Sequence, residues 1–194
     1  MTAETKFPLI SGDISLDLVN TELVRHGKRQ DLLTEPKHVV EWFNILRKND
    51  VLFDEQISTH VEQWANDALP YLRNLRAFLR EGYEQVADGR EFSGDWLTYL
   101  QSLIKEAPFS YGLKDDNLIP VPISNSTNAL TALIAYDALS LYVSNKLQSI
   151  HRCANPECVL LFIDTRGRRK WCSMKICGNR KKVTRHQQKN NKEK

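Results

Sequence analysis

The chain has 194 residues, 41% of them hydrophobic and 26% charged, with a formal net charge of +3. That suits one modest domain, or one domain with a small appended module. No run of eighteen apolar residues occurs, which argues against a membrane-spanning helix, and Met1 to Leu16 has neither the basic start nor the apolar stretch of a secretion signal, so the expected location is cytoplasmic.

In chain order, Ile14, Leu16, Leu18 and Val19 have the three- and four-residue spacing of a short helix, with a strand as the competing reading. Gly27 and its charged neighbours read as a loop. Pro36 opens a helix through Val39, Trp42, Phe43 and Leu46. Asp54 is expected to cap the next helix, which carries Ile57, Val61, Trp64 and Ala68 and is kinked or divided at Pro70. The apolar stripe continues through Leu72, Leu75, Leu79 and Tyr83 to a stop at Asp88-Gly89. Ser93 starts a further helix over Trp96 to Ala107. Prolines and Gly112 then predict a small hairpin around Lys114 to Asn117. Thr127 or Asn128 is expected to cap a long helix that runs to about Ile150.

Charge divides the chain. Residues 1–150 carry 14 Lys/Arg against 21 Asp/Glu, whereas residues 151–194 carry 13 against 3. A basic segment on an acidic body predicts a polyanionic partner, or docking on that body. All four cysteines fall in the basic segment, as Cys153-x4-Cys158, thirteen intervening residues, then Cys172-x4-Cys177. Two short-spaced pairs are suited to one tetrahedral zinc ion, and four thiolates leave no open position for catalysis. Buried free thiols or a redox pair compete with that reading, and His151 and His186 are alternative ligands. Val159 to Ile163 reads as a strand, Asp164 to Gly167 as a turn, and Arg169 to Trp171 as the return. Ser173 then caps a helix, and Trp171, Met174, Ile176 and Val183 offer a small core. The predicted order is knuckle, hairpin, knuckle and helix.

The basic residues nearest this unit are Arg166, Arg168, Arg169 and Lys170 before the second pair, and Arg180, Lys181, Lys182, Arg185, His186 and Lys189 after it. A zinc-anchored basic helix can enter a DNA groove or follow phosphates, and RNA remains open. The competing reading is a solvated charged tail. In the body, no phosphate loop, zinc-helix motif or nucleophile motif occurs, so an enzyme is not expected. Asp17, Asn20 and Asp137 are the candidates for a small ligand pocket, against the simpler reading that each caps or pairs internally.

The string Cys153 to Cys158, with Phe162-Ile163-Asp164, Arg169 to Met174 and Cys177-Gly178-Asn179-Arg180, resembles the CGNR zinc finger family over roughly residues 151–190. Leu16-Asp17-Leu18-Val19-Asn20-Thr21 resembles the opening of the helical ABATE domain found before such fingers in bacterial stress-induced transcription regulators. The resemblance implies the four cysteines as zinc ligands and the basic residues from Arg180 as a DNA face. Thr165-Arg166-Gly167 makes a shorter hairpin tip than family members often have. The expected architecture is mainly α: a helical domain with a small β-hairpin over residues 1–150, then a zinc-finger module over 151–194. The expected function is DNA binding with the body sensing a small-molecule or protein effector. A homodimer is expected because one short finger contacts few base pairs. The alternatives are a protein-interaction module with a purely structural zinc site, and an enzyme with an inconspicuous pocket in the body.

Overall fold

The structure, a computed structural model, describes residues 7–25 and 27–179. It is mainly helical with three small antiparallel hairpins. Helix α1 (Ile14–Val19) is buried along its whole length, as its apolar spacing predicts. The segment around Gly27 is the turn of a hairpin, β1 (Glu22–Arg25) with β2 (Lys28–Asp31). These strands are short and largely polar, so no alternation marks them. A side chain from elsewhere holds them: Arg76 forks onto Asp31 at 2.5 and 2.6 Å and donates to Thr21 Oγ1 at 2.9 Å.

Helix α2 (Pro36–Lys48) has proline in its first turn, where no amide is needed, and buries Val39, Trp42, Phe43 and Leu46. Asp54 does not cap the next helix. Arg47 holds its carboxylate in an ion pair, and a 3-10 turn at Val61–Gln63 leads into α3 (Ala65–Ala87) instead. Pro70 does not divide α3, which runs 23 residues and ends at Asp88-Gly89 as expected. Helix α4 (Gly94–Glu106) follows Ser93.

The predicted second hairpin forms from β3 (Phe109–Lys114) and β4 (Asn117–Pro122). Its two turn residues, Asp115 and Asp116, both have positive φ, as a two-residue turn with the twist of the flanking strands requires. Helix α5 (Ser126–Val143) starts two or three residues earlier than expected. Asn125, not Thr127 or Asn128, caps it, its side chain accepting from Asn128 N–H at 3.0 Å. It ends at Val143 rather than Ile150, because Asn145 takes a left-handed conformation (φ 57°). A 3-10 turn (Lys146–Ser149) then leads to the extended residues 150–152.

Helix α5 is the centre of the fold. It buries residues on nearly every side, from Thr127 to Leu141, and packs against α1, α3 and α4. The core built around it is continuous with the cysteine-bearing segment: Leu160, Leu161 and Phe162 share a cluster with Leu16, Leu18 and Leu79.

Candidate metal centre and its attachment to the body

The finger's hairpin differs from the expected one. Strand β6 (Leu161–Ile163) pairs with β5 (Ile150–Arg152), the segment leaving the body, and not with Arg169 to Trp171. The return segment makes one backbone bond across, Ala154 N–H to Lys170 O at 2.8 Å. The apolar side chains explain the choice. Ile150, Leu161 and Phe162 are at most 2% exposed, so the strand that carries them lies where the body can cover it.

Each cysteine pair sits in a tight local structure. Cys158 N–H donates to Asn155 O at 2.9 Å, and Ser173 Oγ accepts from Ile176 N–H at 3.0 Å at the head of a single π turn, Met174–Gly178. The helix expected from Met174 opens with this turn, and Asn179 after it has right-handed helical backbone; residues beyond 179 lie outside the described ones. An added Cβ at Gly178 would lie 2.5 Å from Sδ of the exposed Met174 side chain, which would have to swing aside. Of the expected small core, Met174 is exposed and Trp171 and Ile176 are half-buried, while Val183 lies outside the described residues.

Cys153, Cys158, Cys172 and Cys177 bring their sulfurs within 4.8 Å of one another. Zn–S bonds of about 2.3 Å in a tetrahedron set the sulfurs roughly 3.8 Å apart. Cys158 Sγ and Cys172 Sγ are 3.8 Å apart. Backbone and side-chain donors face the sulfurs as well: Cys172 N–H to Cys153 Sγ at 3.4 Å, and Asn155 Nδ2 to Cys177 Sγ at 3.7 Å. The thiols alone are in conflict. Hydrogen bonds from Cys158 and Cys172 hold Cys153 down to about 2, while facing Cys153 pushes Cys158 up to about 12 and Cys172 well above the usual thiol range. A dication removes that conflict by favouring four thiolates at once. The donor set fits one structural zinc ion, closed to substrate. His151 is exposed, with its ring against Phe162, and is not part of this cluster.

The turn beside the centre is organised by Asp164, a residue to which its place in the sequence assigns a turn but no role. Its carboxylate accepts from Arg166 N–H at 3.1 Å and Arg169 N–H at 2.5 Å, and Gly167 turns the chain at φ 63°. The Arg169 amide, with those of Arg166 and Arg168, keeps the carboxyl below its ordinary range. Arg166, Arg168 and Lys170 are exposed on this turn. Arg169 is engaged within the finger: its guanidinium lies 4.5 Å from the Phe162 ring centroid and donates to the Cys172 and Ile163 carbonyls. Arg180, Lys181, Lys182, Arg185, His186 and Lys189 lie outside the described residues.

Asp17, Asn20 and Asp137 act as internal anchors. Asp17 accepts from the Ile10, Ser11 and Gly12 amides, and Asp137 from Ser15 N–H at 2.9 Å. Burial outweighs these bonds and raises both carboxyls to about 6. The Asn20 carboxamide donates one bond to, and accepts one from, the Leu161 backbone of the finger. An open cleft of about 450 Å³ lies elsewhere, between the end of α2 and Lys114, and its ions pair across it as Arg47–Asp54 and Lys114–Glu55.

Arg80 and Arg152 complete the attachment, and the sequence offers a faint sign of the first alone: Arg80, like Arg76, interrupts the apolar stripe of α3. Arg80 donates to Val19 O at 2.5 Å and to Val159 O at 3.0 Å, linking α1 to the finger. Arg152 bridges to Asp88 at 2.7 and 3.0 Å.

Comparison with known proteins gives two family matches. Residues 150–190 match the CGNR zinc finger, and residues 12–145 match ABATE, described as a putative stress-induced transcription regulator. A search of curated proteins found no significant match. With most of its length matched, and with the buried α1 signature and the four-thiolate centre both in place, the chain belongs to the ABATE family and ends in a CGNR zinc finger.

Proposed function

We propose that this protein is a non-catalytic transcription regulator that binds DNA through its finger. The observation that carries the reading is the Asp164 turn. It fixes the backbone beside the four-thiolate centre and leaves Arg166, Arg168 and Lys170 exposed on it. Fixed cations of this kind suit phosphate contact, which positions a protein on a duplex before any base is read. In the sequence, the residues from Arg180 onward add further positive charge, whereas residues 1–150 are net acidic and would repel a polyanion. Arg169 acts as a brace for the turn in this reading, not as a contact. An effector of the body binds away from Asp17, Asn20 and Asp137, which are buried and hydrogen-bonded within the fold.

The test is duplex DNA binding by the zinc-loaded protein across a salt titration, beside an Arg166/Arg168/Lys170 triple alanine variant and a Lys181/Lys182/Arg185 triple alanine variant of equal zinc content. Binding that falls steeply with salt is expected, with a shallower slope in each variant, by up to about 0.9 for each phosphate no longer neutralised. Binding no stronger than that of an unrelated protein of similar charge would remove this reading and favour a protein-interaction role.

A further inference from the structure

Arg166 and Arg168 differ from the other arginines of the chain. Every other arginine among the described residues has a partner inside the protein. Even Arg169, next along the same turn, donates to two carbonyls and lies over the Phe162 ring. The guanidinium groups of Arg166 and Arg168 have no such partner among the described residues, and both residues are exposed. Their backbone, by contrast, is held. Gly167 N–H donates to Asp164 O at 3.3 Å, and the buried Asp164 carboxylate accepts from the Arg166 and Arg169 amides. The one acid of the turn therefore faces backbone and leaves both guanidiniums their charge. Between the two arginines the Gly167 Cα is bare, and an added Cβ would meet nothing within 4 Å.

We infer that Arg166 and Arg168 enter the minor groove of A·T-rich duplex DNA. This rests on the DNA reading above and names the class of site the finger selects. Size is the first argument. The major groove, about 12 Å wide, is filled by a helix or a two-stranded ribbon. What projects here is a tight turn with no ladder behind it: β6 pairs with β5, and the return segment makes one backbone bond, from Ala154 N–H to Lys170 O. A single reversal of the chain suits a groove about 6 Å wide. Donor chemistry is the second. The floor of the A·T minor groove offers only acceptors, adenine N3 and thymine O2, and a guanidinium only donates. Guanine adds an amino donor there, which opposes a guanidinium. In the major groove the same donors would favour guanine, so the base preference tells the two grooves apart. Residue type is the third. Runs of A·T narrow the minor groove and deepen its negative potential, and a guanidinium gives up water more readily than an ammonium does. The two unpartnered cations at the tip are both arginines, while Lys170, where the chain leaves the turn, suits a flanking phosphate.

The experiment measures binding of the full zinc-loaded chain to three DNA duplexes of equal length, made of A·T pairs, of G·C pairs, and of I·C pairs in which inosine replaces guanine. An I·C pair keeps the major-groove edge of G·C but lacks the amino group, so its minor groove resembles that of A·T. The A·T and I·C duplexes are expected to bind about tenfold tighter than G·C. A double variant, Arg166→Lys with Arg168→Lys, keeps the charge and should bring the three affinities together without altering the salt slope. Lys170→Ala should weaken all three alike. Zinc content and unfolding midpoint should stay the same in the double variant, because neither guanidinium bonds to the rest of the described chain. Tightest binding to G·C, or I·C bound no better than G·C, places the arginines in the major groove and overturns the inference. Equal affinities for all three duplexes overturn it too, as does a preference that survives in the double variant. Each of these results leaves the DNA reading standing. Binding no stronger than that of an unrelated protein of similar charge removes both.

Discussion

The side chain of Asn20 treats Leu161 as a neighbouring strand would: its Nδ2 donates to Leu161 O at 2.9 Å and its Oδ1 accepts from Leu161 N–H at 3.0 Å. Both bonds are buried and span 141 positions of sequence. Asn20, the residue that caps the C-terminus of α1, therefore completes the backbone pairing of β6. Asn20→Ala leaves a buried amide and a buried carbonyl without partners, and should cost about 2–4 kcal/mol in urea unfolding. Asn20→Asp should be no better, because a carboxylate has no donor for Leu161 O and adds a buried charge. Equal stability of Asn20→Ala and the unmodified chain would show that the two bonds add nothing.

Removal of zinc should be felt beyond the finger. Leu160, Leu161 and Phe162 are core residues of the body, and their strand is tethered to a segment whose shape depends on the four thiolates. Chelation should therefore lower the midpoint of one cooperative thermal transition, by several kcal/mol of stability, without producing a separate early step. Calorimetry of the chelated and zinc-loaded forms checks this. A body transition at the same temperature in both would mean that the finger folds alone.

Much of this is readable from the sequence, and the rest fails for definite reasons. The cysteine spacing, helices α2 and α4, and the β3–β4 hairpin each declare themselves within a short window, because one pattern and one turn chemistry decide them. The roles of Asn20, Asp17 and Arg80 depend on partners elsewhere in the fold, and pocket-lining is the natural expectation for polar groups among apolar neighbours. The finger's hairpin misleads for a related reason. The spacing Val159 to Trp171 suits a local return, but burial of Leu161 and Phe162 against the body outweighs it and selects Ile150–Arg152 as the partner. Asn125 caps α5 two and three residues before the expected Thr127 or Asn128, within the ordinary error of reading a helix start.

Stability should fall as pH rises through the mildly acid range. Asp17 and Asp137 each have a folded pKa of about 6 against an ordinary 3.8, so the native state holds their protons more tightly. Their favourable contribution is full below pH 3.8 and is lost as pH climbs through about 6. Asp137→Asn retains an oxygen to accept from Ser15 N–H and has no charge to bury. It should flatten the slope between those values and add roughly 1–3 kcal/mol at neutral pH. Urea midpoints measured at intervals of pH decide it; an unchanged slope would mean that Asp137 titrates normally.

Gly82→Ala sets two effects against each other. Alanine is better than glycine inside a helix by about 1 kcal/mol. At this site, however, the new Cβ would fall 2.3 Å from Trp96 Nε1, where α3 meets α4. The Trp96 ring is itself fixed between Phe92 and Tyr83, with centroids at 4.2 and 6.0 Å, and cannot step aside. Overpacking should win, with a net loss of about 1–3 kcal/mol and altered tryptophan fluorescence. A stabilised variant would show that the aromatic cluster yields.

The attachment of β6 to α1 and α3 bears on how such a protein can be rebuilt. Zinc fingers are commonly treated as cassettes, cut at a linker and joined to a new partner. Here the cut after α5 would strip Leu161 and Phe162 of the body that covers them, and would leave Asn20 and Arg80 facing water in place of strand backbone. A transplantable unit would have to carry its own landing surface. The practical breakpoint is therefore not a position in the chain but a set of contacts, and exchanging fingers between relatives calls for exchanging the Asn20 and Arg80 neighbourhoods with them.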